Sequence, residues 1–142
     1  MGSSAQAPPA GHRLAGKRQV ALSELADEDW INSCPGTSCD QVVLNACRSA
    51  GFEPRVVIES DENDQMQACV AGGLGVALWP QLALAHVRPG VVVKPVAGPQ
   101  VMRRVHAATP AGAYRSPAVE AMLAILRETA EEFRLDAPLR VA

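Results

Sequence analysis

From Val119 onward, apolar residues fall at offsets 0, 3, 4, 7, 11 and 14: Val119, Met122, Leu123, Leu126, Ala130 and Phe133. This spacing puts them on one side of a helix, with Arg127, Glu128, Glu131 and Glu132 on the other. Ser116 can cap that helix and Pro117 suits its first position, where a missing N–H costs nothing. A second helix is expected from Ser38 to Ala50, with Cys39, Val43, Ala46, Cys47 and Ala50 as its apolar stripe. Thr37 or Ser38 can cap it, with Asp40 or Gln41 three residues on, and Gly51 can stop it. A third spans about Asn63–Ala71, with Met66, Cys69 and Val70 on one face and Gly72-Gly73 at its end.

Strands are read from shorter runs. Trp30 and Ile31 lie between polar residues in Asp29–Asn32. Val56, Val57 and Ile58 follow one another in Arg55–Glu59, a β-branched run that predicts a parallel strand covered on both faces. Gly75–Trp79, Val91–Val96 and Arg103–Ala108 complete the set, with short helical turns at Val20–Ala26 and Gln81–His86. His12–Arg18 reads as a linker or strand edge, and Asp136–Ala142 as a tail. Alternating strands and helices predict an α/β sheet with right-handed crossovers.

Composition narrows the class. A chain of 142 residues is one domain or two small lobes, and it can bury roughly two thirds of its unfolded surface. Apolar residues at 48% and charged residues at 20% exclude general disorder. The net charge of −2 argues against a nucleic-acid surface, and no apolar run is long enough to span a membrane. Residues 1–11 read as a disordered leader or a cloning scar, without the apolar core of a secretory signal. Cys34, Cys39, Cys47 and Cys69 form no C-x-x-C pair and no zinc spacing, which fits reduced thiols in a cytoplasm.

Open α/β sheets bind ligands where strands end and helices begin. Three such ends are readable: Ser33–Ser38, Ser60–Asp64 and Trp79-Pro80. In the first, Gly36 permits close backbone approach, and Thr37, Ser38 and the helix N–H groups can cradle an anion, although the hydroxyls can equally cap the helix. In the second, Glu59, Asp61, Glu62 and Asp64 are either a solvated cap or a wall that repels further anions or accepts an amine. Their spacing is too sparse for a calcium loop. Cys34 precedes a helix start, which would favour a thiolate, but His12, His86 and His106 offer it no base by local logic. Gly72-Gly73-Leu74-Gly75 precedes a strand, the wrong order for a phosphate loop, and Arg103-Arg104 alone is weak evidence for an anion contact. No catalytic residue, metal or cofactor is assigned, so a binding module is expected rather than an enzyme.

The segments GHRLAGKRQVALSELADEDWI, ACRSAGFEPRVVIESDENDQMQACVAGGLGVALWPQLAL, PGVVVKPV and YRSPAVEAMLAILRE, in this order, resemble the effector-binding domain of LysR-type transcriptional regulators. The resemblance implies a periplasmic-binding-protein-like pair of α/β subdomains with a small-molecule cleft between them. Residues 12–96 would form the second subdomain, and residues 97–142 the remainder of the first with its C-terminal helix. By the same resemblance Ser33, Cys34, Pro35, Gly36, Thr37, Ser38, Asp61, Asp64 and Trp79 would contact the effector, with Trp79 able to narrow the pocket or stack on a planar ligand. The expected ligand is a small, anionic metabolite that controls transcription. No helix-turn-helix is recognisable, so direct contact with nucleic acid is not expected of this chain. A homodimer, or pairing with a full-length regulator, is the expected protein partnership. The alternative is a free-standing or truncated small-molecule-binding module.

Overall fold

The computed structural model describes residues 3–7, 12–98, 106–112, 114–132 and 140–141. In chain order the regular elements are β1 (Ser3–Ala7), β2 (Val20–Ala21), β3 (Asp29–Asn32), α1 (Ser38–Ser49), β4 (Arg55–Glu59), α2 (Asn63–Ala71), β5 (Ala77–Pro80), β6 (Val92–Ala97), α3 (Pro117–Glu132) and β7 (Arg140–Val141). Single 3-10 turns occupy Leu22–Leu25 and Gln81–Leu84.

The sheet around β3 follows from strand alternation. β3 runs parallel to β4 and, through Trp30 opposite Val76, parallel to the chain entering β5. Ile31 N–H donates to Val76 O and Val76 N–H to Asp29 O, each at 2.8 Å. Neighbouring residues then point to opposite faces. Trp30, Val76 and Leu78 join one buried cluster with Val43, Ala46 and Cys47 of α1. Ile31, Ala77 and Trp79 join the other with Met66 and Val70 of α2. One helix per face is the doubly covered arrangement expected of an α/β layer. Gly75 sits where a Cβ would lie 2.6 Å from Asp29 O, so only glycine allows the two backbones this close.

The Val56-Val57-Ile58 run behaves differently from a flat buried strand. Trp30 pairs with Val56 but Ile31 pairs with Ile58, so Val57 is the extra residue of a bulge. Val56 consequently packs on the α1 side and Ile58 on the α2 side, while Val57 stays 48% exposed. β-branching identifies the strand; the bulge decides which of its residues are covered.

Four further expectations are corrected. Ser3–Ala7, assigned to a disordered leader, pairs antiparallel with β5 and β6, and Arg140–Val141, assigned to a tail, pairs with the same two strands. Polar, small-residue segments carry no periodicity that announces a strand, yet their backbones can satisfy the N–H and C=O groups of β5 and β6. In His12–Arg18, read as linker or strand edge, Leu14 is a core residue at 1% exposure beside Val20, Leu22 and Leu25. A lone leucine in a basic stretch has no periodic partner to reveal it. His106–Ala108 contain no strand, and Arg103–Val105 lie outside the described residues.

α3 starts as the sequence predicts: Ser116 Oγ accepts the Val119 N–H at 3.3 Å. Its apolar side, however, is largely uncovered: Val119, Met122 and Leu126 are each 40–57% exposed and Leu123 is half-buried, with the adjacent Ile125 also exposed. Phe133, the last residue of the stripe, lies outside the described residues. Among the described residues, the buried hydrophobic side chains all fall between Leu14 and Val96.

Candidate functional site

The carboxyl ends of β3, β4 and β5 converge, and the two core clusters diverge there to leave a cavity of about 150 Å³. Ser33 leaves β3; Cys39, Val42 and Val43 come from the first turns of α1; Asp61, Asn63 and Met66 come from the β4–α2 connection and α2; Leu78, Trp79 and Pro80 end β5; Ala83 stands in the following 3-10 turn. Each of the three strand-end loops thus supplies part of the wall.

Of the residues expected at the site, Ser33, Asp61 and Trp79 line this cavity. Cys34, Pro35, Gly36, Thr37, Ser38 and Asp64 are not among its lining residues. Pro35, Gly36, Ser38 and Asp64 are exposed on the rim, and Thr37 and Cys34 are half-buried. Trp79 is 3% exposed, so it forms a wall of the core more than a free stacking plate. Sequence reasoning placed Cys39, Val43 and Met66 on apolar stripes without assigning them to the site, it included Asn63 and Pro80 in the strand ends without singling them out, and it left out Val42, Leu78 and Ala83. The i, i+3, i+4 spacing of Cys39, Val42 and Val43 was the available signal.

The turn after β3 is held by one buried carboxylate. Asp40, at 5% exposure, accepts from Asn32 Nδ2 at 2.8 Å and from Gly36 N at 2.9 Å. Thr37 caps α1 by accepting the Asp40 N–H at 3.2 Å. Cys34 N–H donates to Asp61 Oδ1 at 3.0 Å and Thr37 N–H to Cys34 O at 3.3 Å. In the turn that leads into this helix start, the N–H groups of Cys34, Gly36 and Thr37 are therefore spent on internal acceptors, and Thr37 Oγ1 serves as the helix cap. Gly36 serves its own backbone, with φ at 83°, and nothing approaches within 4 Å of where its Cβ would stand.

Asp61 also decides the chemistry of Cys34. Its hydrogen bond with the thiol is the main influence raising the Cys34 pKa above the ordinary thiol value, with burial and the charges of Asp61 and Glu59 adding to it. This is opposite to the lowering that a helix start alone would give. Cys47 is pushed up to about 12, chiefly by burial. Cys47 therefore stays protonated through the range where a free cysteine ionises, and Cys34 ionises at a higher pH than a free cysteine. Iodoacetamide at pH 8 should alkylate Cys34 more slowly than a free cysteine, and Asp61→Asn should accelerate it several-fold, followed by mass spectrometry of the peptide. Equal rates in the two proteins would remove Asp61 as the cause. Among the described residues no three His, Cys, Asp or Glu side chains group as metal ligands, and no disulfide is formed.

Comparison with known proteins agrees with the fold. The family model described as the LysR substrate binding domain matches residues 7–131. The transcriptional dual regulator GltC of Bacillus subtilis (strain 168) is 33% identical over 98 residues, covering 68% of this chain and 33% of that protein. The C-terminal domain of a probable LysR family transcriptional regulator from Rhodococcus sp. RHA1 is 30% identical with a TM-score of 0.59, over 71% of this chain and 50% of that one. The CcmR regulatory domain of Synechocystis PCC6803, solved in complex with 2-PG, is 24% identical with a TM-score of 0.75, over 89% of this chain and 63% of that one. The chain spans about a third of the length of the curated relatives it matches. With the family model covering all but the two ends, and a parallel α/β layer whose strand ends open onto a cavity, this chain belongs to the LysR substrate-binding domain family.

Proposed function

We propose that the chain is the effector-sensing part of a LysR-type transcriptional regulator and binds a small molecule in the cavity at the strand ends. The observation that supports this most is the convergence of three strand-end connections on one largely apolar cavity. Residues 12–96 act as one lobe in this reading, and residues 97–142 belong with a second lobe across a cleft. Ligand that prefers one lobe arrangement shifts the regulator toward it. The chain is then a binder and not an enzyme: Asp61 raises the pKa of the Cys34 thiol, which opposes its use as a nucleophile. Cytoplasmic residence and self-association, or pairing with a full-length regulator, belong to the same reading. The exposed apolar side of α3 favours such pairing.

A thermal-shift panel of small metabolites, with hits measured by calorimetry, tests the proposal. Ala83→Phe should fill the cavity and weaken each hit at least tenfold without loss of fold. Hits that bind this variant unchanged would place the ligand elsewhere. The same samples in an analytical ultracentrifuge report association; a monomer at every concentration and ligand load would end the pairing part.

A further inference from the structure

We infer that the cavity selects a ligand with a small apolar body and a positively charged nitrogen set against Asp61, and disfavours carboxylates. This rests on the cavity being the ligand site proposed above. Most of the wall is apolar, with Val42, Val43, Met66, Leu78 and Trp79 contributing. A cavity near this size holds roughly one aromatic ring. Among the described residues that line it, Asp61 carries the only formal charge, and there is no Lys, Arg or His.

The polar equipment is weighted toward acceptors. Asp61 uses Oδ1 to hold Cys34 N–H and also accepts from the Cys34 thiol, which leaves further lone pairs on its two oxygens. Asn63 commits its Nδ2 to Ala83 O at 2.9 Å, which leaves Oδ1 as a buried acceptor with no protein partner. An ammonium group brings three donors and no acceptor, so it complements this set. A carboxylate would bring only further acceptors and a second negative charge beside Asp61, and the N–H groups of Cys34 and Gly36 in the adjoining turn are already paired. Exposed Glu59, Glu62 and Asp64 keep the rim acidic.

Three probes of one shape separate the possibilities: benzylamine, benzyl alcohol and benzoate, titrated at pH 7 into the 142-residue chain by calorimetry and by the indole N–H resonance of Trp79. Benzylamine should bind at least tenfold more tightly than benzyl alcohol, with benzoate weaker than both. Asp61→Asn should bring benzylamine down to the affinity of benzyl alcohol and leave benzyl alcohol unchanged, while Asp61→Glu should keep the preference. Matching thermal melts of the variants confirm that the fold is intact. Equal affinity for the three probes, or tightest binding of benzoate, overturns the charge preference and leaves the cavity as the ligand site. Binding by none of them also overturns this inference, while the effector reading itself is decided separately by the Ala83→Phe panel.

Discussion

Trp30→Ala is expected to lose roughly 3–5 kcal/mol of stability, a large part of the ~5–15 kcal/mol that a domain of this size has. Trp30 is fully buried at the centre of the larger core cluster. Its indole Nε1–H donates to Leu25 O at 3.1 Å, tying β3 to the 3-10 turn. Its ring lies 5.9 Å from that of Phe52, tilted by 42°, which closes the end of α1 onto the sheet. Alanine would empty the largest side-chain volume in the core, leave the Leu25 carbonyl without its donor and free Phe52. Trp30→Phe keeps much of the apolar volume but not the hydrogen bond, so it should lose less than half as much. Urea denaturation followed by circular dichroism measures both. A Trp30→Ala midpoint close to that of the parent would show that the two clusters stand without this side chain.

Asp40→Ala should cost about 2–4 kcal/mol, because leaving buried donors unpaired costs roughly 1–3 kcal/mol each. The buried Asn32 amide loses its acceptor, and Gly36 N–H must turn to water. The effect is local as well as global, since the same carboxylate shapes the turn that leads from β3 into α1. Hydrogen exchange at Gly36 should therefore speed up by more than the loss of global stability explains. Asp40→Asn is the sharper test: one amide oxygen can serve one donor, while its NH2 opposes the other. Gln41→Ala, which removes only a 3.3 Å contact to Asp40, should change little. Unchanged Gly36 exchange in Asp40→Asn would show that the turn is held by something else.

Much of the framework was legible beforehand, for local reasons. The Thr37 cap, the Gly51 stop and the stripe of Val43, Ala46 and Cys47 define α1 through contacts within a turn or two. Trp30-Ile31 and the Val76–Trp79 run were read as strands because their apolar residues stand out against polar flanks and glycine. The three strand-end loops were also legible, since strand order implies where connections lie, and they do contribute to one cavity. What was misread there was the use of polar groups. Gly36, the Thr37 and Ser38 hydroxyls and the helix start suggest an anion site in isolation, but Asp40 takes the Gly36 N–H, Asp61 takes the Cys34 N–H, and the Thr37 hydroxyl is the helix cap. Asp40 sits on the helix face that sequence periodicity marks as polar, and only its partners account for its burial.

Side-chain periodicity, caps and turn residues set the helices and strands of this protein, because those preferences act over a few bonds or one helical turn. The chain by itself therefore determined the alternating α/β order and the loops at the strand ends. Folding in three dimensions settled the rest: the Val57 bulge, the pairing of β1 and β7, the burial of Leu14, the bare side of α3 and the acceptor-rich wall of the cavity. Each of these depends on which distant group arrives to satisfy a backbone edge, an apolar surface or a lone N–H, and no local preference encodes that arrival.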